Sequence, residues 1–337
     1  MNLEELKELC RLCGTSGREH AVREYILQKI AAAGIPKRNV TVDGIGNVIV
    51  KKKGRQRAEC SVLFTAHMDE VALMVTHTGS DGMLSFEPVG GVLAAAVAGR
   101  QVRVGKDRIR GVIGCKPVHL LGKDEAARPL TMDNLHCDVG GECGVQPGDI
   151  IYFDTEPQVI GADSFAAKAI DDRFGCEVLL TLLRAELQYD VTVAFLVQEE
   201  VGLRGTKVLA GRMTPDFAVV LEATTAADLP DCSGAERVCA LGKGAVISFI
   251  DGHTVYDKAL YDRAAALCNE NGIPWQTKSK IAGGNDAGAL QFSGARVLAV
   301  SVPCRYLHAP VSLIRLSDAE ACGQLALLLA NTLPEGH

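Results

Sequence analysis

The sequence predicts an α/β fold: an α/β/α sandwich with a mixed, mostly parallel central sheet, interrupted by an inserted small all-β barrel. Three observations predict it. Helical periodicity alternates with apolar strands, the strands of the second half are apolar without interruption, and the stretch before them is rich in glycine and β-branched residues. Unbroken apolar strands are typical of a sheet that helices cover on both faces.

The first part of the chain predicts two helices and the first strands. Residues 3–13 and 18–32 repeat apolar side chains at helical spacing. Strand-like runs follow at residues 40–42, 48–50 and 62–65, and the last of these leads directly into the string AHMDE at 66–70.

The middle of the chain has a different texture. From residue 75 to residue 161, short runs such as GRQVRVG and RIRGVIG are separated by glycine, which indicates short strands and turns. The apolar strands VTVAFLV, DFAVVLEA, AVISFI and RVLAVSVP come later. We therefore expect residues 1–74 plus 162–337 to form the main, catalytic domain and residues 75–161 to form the inserted barrel.

Composition excludes several classes of function. The 337 residues carry a formal net charge of -6 without a long run of like charges, so we expect no nucleic-acid partner. The N-terminus lacks the features of a signal peptide, and no apolar stretch is long enough to span a membrane. The twelve cysteines are scattered, and many lie in apolar runs as reduced core thiols do. We expect a cytoplasmic protein with no membrane partner.

Polar side chains cluster where predicted strands end, and in α/β sheets functional groups gather at such ends. The clusters are His67 with Asp69, Asp171 with Asp172, Glu199 with Glu200, Glu222, and His308. Imidazoles and carboxylates without a thiolate suit zinc, cobalt or manganese, and an excess of carboxylates suits two cations that share one bridge. Taken singly, each cluster could equally be structural, as a satisfied histidine or a helix cap.

Several strings resemble the M42 family of metallo-aminopeptidases, of the glutamyl or tetrahedral type, in the same order along essentially the whole chain. They are LCGTSGREHAVREYI at 12–26, AHMDE at 66–70, AIDDR at 169–173, QEEVGLRG at 198–205, LEATTAADLP at 221–230, GGNDA at 283–287 and YLHAP at 306–310. The resemblance implies that the protein removes N-terminal residues from peptides with a free N-terminus. It also implies two divalent metal ions per subunit, zinc or cobalt, with manganese as an alternative.

The resemblance further implies which residues hold the metals. One metal would be bound by His67, Asp171 and Glu222. The second would be bound by Asp171, Glu200 and His308, so that Asp171 bridges the two.

Two further residues receive roles from the resemblance. Glu199 would be the general base that activates a water bridging the metals, and Asp69 would accept the second ring N–H of His67. By analogy with related dinuclear aminopeptidases, the peptide bond between Asp171 and Asp172 is expected to be cis.

The sequence departs from the family pattern at a few positions. Glu222 stands where many members have Asp, and Ala72 replaces a common glycine. The frequent HSPxE reads HAPVS, so Ala309 and Ser312 lack two polar groups, and we expect a weaker contact beside the metals rather than a lost ligand. GGNDA either helps to place the substrate backbone or is a glycine-rich turn, and both readings stay open.

Other functions also stay open. Some relatives carry endoglucanase labels, and a glycosidase would need an acid and a base or nucleophile, without a metal. A non-catalytic protein on a peptidase fold is a third alternative. The resemblance implies a homo-oligomer, commonly a tetrahedral dodecamer whose active sites face an internal cavity and whose assembly involves the insert. The preferred N-terminal side chain and the physiological metal do not follow from the sequence.

Overall fold

The computed structural model describes residues 1–335, which form an eight-stranded mixed sheet with helices on both faces, a closed six-stranded barrel and a three-stranded sheet. The predicted fold class is confirmed. The strands are β1 (Val40–Val42), β2 (Val48–Lys52), β3 (Val62–His67), β4 (Ala72–Thr78), β5 (Met83–Val89), β6 (Gln101–Val104), β7 (Ile109–Cys115), β8 (Leu135–Asp138), β9 (Ile150–Phe153), β10 (Gln158–Ile160), β11 (Ser164–Ala167), β12 (Val191–Leu196), β13 (Phe217–Thr225), β14 (Ala245–Ile247), β15 (Trp275–Thr277), β16 (Arg296–Cys304) and β17 (Ser312–Arg315).

The α-helices of the described residues lie between these strands. They are α1 (Leu3–Arg11), α2 (His20–Ala32), α3 (Ala94–Val97), α4 (Lys123–Ala126), α5 (Ile170–Arg184), α6 (Arg204–Ala210), α7 (Lys258–Asn271), α8 (Ala287–Leu290) and α9 (Leu316–Thr332). No helix within residues 1–335 combines the length and the apolar character that crossing a membrane requires.

The main sheet has the strand order β1-β2-β12-β3-β13-β16-β14-β15. Its four central strands, β12, β3, β13 and β16, are mutually parallel, whereas β2 and β14 pair antiparallel with their inner neighbours. Because the four central strands run in one direction, their carboxyl ends meet at one edge of the sheet.

The two faces of the main sheet explain why its strands are apolar without interruption. Phe64 and Val219 lie on the face that α1, α2, α5, α7 and α9 cover. Leu63 and Val220, the adjacent residues of the same strands, pack against α6 and α8 on the opposite face. Successive side chains of a strand point to opposite faces, so a sheet with two helical layers needs apolar residues at both.

The barrel closes in the strand order β4-β5-β8-β7-β6-β9, with antiparallel pairs throughout. Its strands run from Ala72 to Phe153, and it encloses a separate core that includes Val75, Phe86 and Val104. The chain then returns through β10 and β11, and β11 pairs with β17 beside the main sheet.

A buried ionic network joins the N-terminal helix to the loop after β3. Arg173 is fully buried and donates to the carbonyl oxygens of Leu9 (2.6 Å) and Met68 (2.9 Å). Its second terminal nitrogen lies 3.3 Å from Glu70 Oε1, and Lys168 Nζ lies 2.7 Å from Glu70 Oε2. The network holds the segment just after His67 in place, because every charged member has a partner.

Replacing Arg173 tests how much this network stabilises the fold. We expect Arg173→Met to lower the free energy of unfolding by about 3–5 kcal/mol, since it leaves Glu70 and two carbonyl groups short of donors in the interior. Denaturant unfolding followed by circular dichroism measures the change. The matched control Arg212→Met removes an exposed guanidinium and should change the stability by no more than about 0.5 kcal/mol. Equal effects of the two substitutions would contradict a stabilising role for the network.

Candidate metal centre

Five chain segments bring acidic and imidazole side chains to one edge of the main sheet. His67 is the last residue of β3, Glu222 lies in β13, and Glu200 follows β12. His308 follows β16, and Asp171 lies in the first turn of α5. The five metal ligands that the resemblance implies are therefore close together in space, although 241 positions separate the first from the last.

Asp171 lies between the two imidazoles. Its Oδ1 is 3.2 Å from His67 Nε2, and its Oδ2 is 3.4 Å from His308 Nε2. Each oxygen of one carboxylate thus faces a different ring. The peptide bond that joins Asp171 to Asp172 is cis, as the resemblance predicted.

Each imidazole also faces one glutamate. Glu222 Oε1 lies 3.5 Å from His67 Nε2, and Glu200 Oε1 lies 3.4 Å from His308 Nε2. The result is two groups of donor atoms, each with one imidazole and one glutamate, which share Asp171. Donor atoms of His67, Asp171 and Glu200 all lie within 4.8 Å of one another. Imidazole nitrogen and carboxylate oxygen at such separations fit a divalent cation of the zinc, cobalt or manganese kind.

Asp69 is fully buried behind His67. Its Oδ1 lies 3.4 Å from His67 Nδ1, and its carboxylate also accepts the backbone N–H groups of Glu199 (2.9 Å) and Glu200 (3.1 Å). The Ser16 hydroxyl donates to it at 2.5 Å. The backbone carbonyl of Asp69 also lies 3.2 Å from His67 Nδ1, so Asp69 orients the His67 ring through its carbonyl and its carboxylate, and the carboxylate holds the Glu199–Glu200 backbone.

Three residues of the surroundings, Asp172, Asp286 and Ser16, received no role from the sequence. Asp172 Oδ2 accepts the backbone N–H of His67 at 3.2 Å, and donor atoms of Asp172, His67 and Glu222 also form a compact group. Asp286 is buried, accepts a hydrogen bond from the Thr206 hydroxyl and has one oxygen without a partner. The position of Asp172 beside Asp171 was an available signal. Ser16 and Asp286 lie in the strings at 12–26 and 283–287, but only the fold shows that they come to this edge.

The site concentrates negative charge, and the pKa values reflect it. Burial and the charge of Asp171 raise the pKa of Glu200 to about 7. Burial raises the pKa of Glu199 and of Glu222 well above the usual glutamate range. Burial acts to lower the pKa of His308, but its hydrogen bond to Asp171 and the charge of Glu200 outweigh burial and raise the pKa to about 9.

The acidic cluster opens into a cavity of about 320 Å³. Glu199 lines it together with the metal-ligand candidates, and Gly283, Gly284 and Asn285 also belong to its lining. The GGNDA string therefore borders the cavity, in keeping with the reading in which it helps to place a substrate.

The HAPVS departure lies beside the cluster. Ala309 and Ser312 border a small crevice next to Asp171, Glu200 and His308. Ser312 donates its hydroxyl to the Tyr306 carbonyl at 3.0 Å. The outer nitrogen of His308, Nδ1, lies 3.1 Å from the carbonyl oxygen of Gly91, which belongs to the insert.

Comparison with known proteins gives consistent matches. The sequence model of the family described as M42 glutamyl aminopeptidase matches residues 46–325. The glutamyl aminopeptidase of Lactococcus lactis is 30% identical, over 94% of this chain and 92% of its own. The lysyl aminopeptidase of Pyrococcus furiosus is also 30% identical, over 98% of this chain and 97% of its own. The solved structure of Pyrococcus horikoshii TET1 peptidase superposes with a TM-score of 0.86 at 33% identity, over 98% of this chain and 99% of its own. That peptidase is described as able to assemble into a tetrahedron or a large octahedral shell.

The raised pKa values predict how the stability of the metal-stripped protein depends on pH. The Glu200 pKa rises from 4.5 to about 7 on folding, so the folded chain holds a proton that the unfolded chain loses, and stability falls as pH rises through that interval. The His308 pKa rises from 6.5 to about 9, so its stabilising contribution is complete below pH 6.5 and lost as pH rises to 9. The melting temperature in chelator should therefore fall between pH 5 and 9.

Circular dichroism melting curves in chelator measure this dependence. Glu200→Gln removes one of the titrating groups, so this variant should show a smaller fall between pH 5 and 7. A melting temperature that rises across the whole interval would contradict the assignment of these shifts.

Proposed function

The chain belongs to the M42 family of peptidases, and from that premise we propose that it is a metal-dependent aminopeptidase that uses two divalent cations to release N-terminal residues from peptides. The observation that carries the proposal is the position of Asp171, whose two oxygens face two different imidazoles. A carboxylate in that position suits a bridge between two cations.

The ligand sets follow from the contacts. We propose that His67, Asp171 and Glu222 hold one cation and that Asp171, Glu200 and His308 hold the other. Zinc or cobalt is the proposed metal, with manganese as the alternative, since all three accept imidazole and carboxylate ligands. When bound, the cations supply Lewis acidity and lower the pKa of the attacking water.

Glu199 is the proposed general base. Its side chain lines the cavity, and no imidazole lies within ion-pair distance of it in the described part of the chain. It takes a proton from the attacking water and delivers it to the amine that leaves when the C–N bond breaks. Asp69 positions this glutamate, because its carboxylate accepts the Glu199 backbone N–H.

The same proposal covers the domains and the compartment. Residues 1–74 plus 162–337 are the proposed catalytic domain, and residues 75–161 are the proposed inserted unit for assembly and substrate access. We propose a cytoplasmic location, since all twelve cysteines lie within the described residues and are free thiols, and seven of them are buried. The relatives' names point to opposite side-chain preferences at equal identity, so the preference has to come from this chain's own cavity.

Hydrolysis of aminoacyl anilides tests the proposed function. We expect release from free anilides and none from their N-acetylated counterparts, loss of release in chelator, and recovery with zinc, cobalt or manganese. Glu199→Gln should lower kcat by about 10²- to 10⁴-fold, the contribution of a general base, while binding metal as before. No release under any of these metals would favour the glycosidase alternative, and full turnover by Glu199→Gln would favour a different base.

The assembly is a separate proposal. The TET1 peptidase of Pyrococcus horikoshii is described as forming a tetrahedron, and a tetrahedral shell has twelve equivalent positions. We propose a dodecamer of this chain, in which twelve subunits of 35.8 kDa give about 430 kDa. Light scattering coupled to size exclusion should give that mass, and the mass of a single chain would refute the shell.

A further inference from the structure

Two loops, residues 251–254 and 278–285, contribute His253, Lys278 and residues 282–285 to the lining of the cavity. Gly252 donates its N–H to the Gly283 carbonyl at 2.8 Å. Asp251 holds the first loop by accepting the N–H groups of His253 and Thr254, both at 2.8 Å. A Cβ at Gly284 would collide with the His253 imidazole, so the loops pack closely only because residue 284 is glycine.

Lys278 is the one Lys or Arg among the described residues that line this cavity. It is only 5% exposed, and its Nζ donates to the Ala282 carbonyl at 3.3 Å. No carboxylate within residues 1–335 lies at ion-pair distance from it. Asp251 acts on it through its charge, but the Asp251 oxygens are taken up by the Tyr256 hydroxyl and by backbone N–H groups.

A buried ammonium group with one long contact to a carbonyl is costly, since it has lost water without gaining an anion. Burial lowers the pKa of Lys278, which reflects that cost. The position on a cavity wall allows a ligand to supply the missing negative charge. Thr225 and Asn285, which also line the cavity, carry no charge that could do so.

We propose that Lys278 is the specificity-determining residue of this site and binds the side-chain carboxylate of an N-terminal glutamate or aspartate. The inference rests on the proposed function, because that function places the scissile carbonyl at the acidic wall, between the cations and Glu199. The cavity of about 320 Å³ is of the size of a single small-ligand site. Lys278 and the acidic cluster line one cavity, so we assign the carboxylate that Lys278 binds to the residue being removed.

The competing explanation is that Lys278 only balances the charges of Asp251 and Glu222, which both act on it. Under that explanation a neutral residue at 278 would weaken the metal site and reduce the hydrolysis of every substrate by the same factor. Under the proposal the loss would depend on the charge of the substrate side chain. Glutamyl and glutaminyl substrates separate the two, because they have nearly the same shape and differ in charge.

The experiment compares glutamyl and glutaminyl anilides, which have no C-terminal carboxylate to confuse the result. The wild-type protein should prefer the glutamyl substrate in kcat/KM by roughly 10- to 100-fold, as one hydrogen bond between charged groups contributes. Lys278→Met should bring that ratio close to one. The matched control Lys280→Met removes an exposed charge two residues away and should keep the wild-type ratio. A wild-type ratio near one, or an unaltered ratio in Lys278→Met, would overturn the inference.

Calorimetry provides a readout that does not need turnover. Titrating L-glutamate and L-glutamine into the metal-loaded protein should show tighter binding of glutamate to the wild type and equal binding of the two to Lys278→Met. Equal binding to the wild type would overturn the inference. Selective glutamate binding without hydrolysis of any anilide would refute the proposed function and leave the Lys278 assignment standing. Hydrolysis that prefers leucyl or lysyl anilides would support the proposed function and refute the Lys278 assignment.

Discussion

The arrangement of this molecule depends on one electrostatic constraint, the crowding of carboxylates at the carboxyl edge of the central sheet. Asp171, Glu199, Glu200 and Glu222 surround a single space, and within residues 1–335 no Lys or Arg forms an ion pair with any of them. Like charges held this close favour protonation or a bound cation. A bound proton or cation therefore stabilises the site, and the surrounding fold has to hold the acids together until one binds.

That holding function is divided between two adjacent residues. Asp69 faces the site, where it contacts His67 and the backbone of the Glu199–Glu200 segment. Glu70 faces away and joins the buried cations Lys168 and Arg173. Side chains of adjacent residues in an extended segment point to opposite sides. Asp69 can therefore orient the His67 imidazole while Glu70 anchors the loop. Of the two acids in AHMDE, Asp69 thus serves the acidic site and Glu70 serves the fold.

Much of this could be predicted from the sequence, and the exceptions have physical reasons. The strands that lead to His67 and Glu200 were predictable, because burial on both faces gives an unbroken apolar run before the polar residues. AVISFI shows the limit of that reasoning, since the strand ends at Ile247 and the same apolar run continues into a loop that carries Phe249. The position of Lys278 could not be predicted, because neither local periodicity nor spacing tells which distant loops line the same cavity. Asp172 stood in a recognised string, but its contact with the His67 backbone follows only from the turn at the start of α5.

The contact between His308 and Gly91 links the barrel side of the chain to the acidic site. The imidazole of His308 is oriented by a carbonyl that comes from the barrel side of the chain, 217 positions earlier. The barrel therefore contributes a contact to the proposed metal centre. A shortened chain that lacked residues 75–161 would lose the Gly91 carbonyl, so one of the five proposed ligands, His308, would lose the neighbour that orients its ring. A barrel taken from a relative can replace this one only if it places a backbone carbonyl where the Gly91 carbonyl contacts His308.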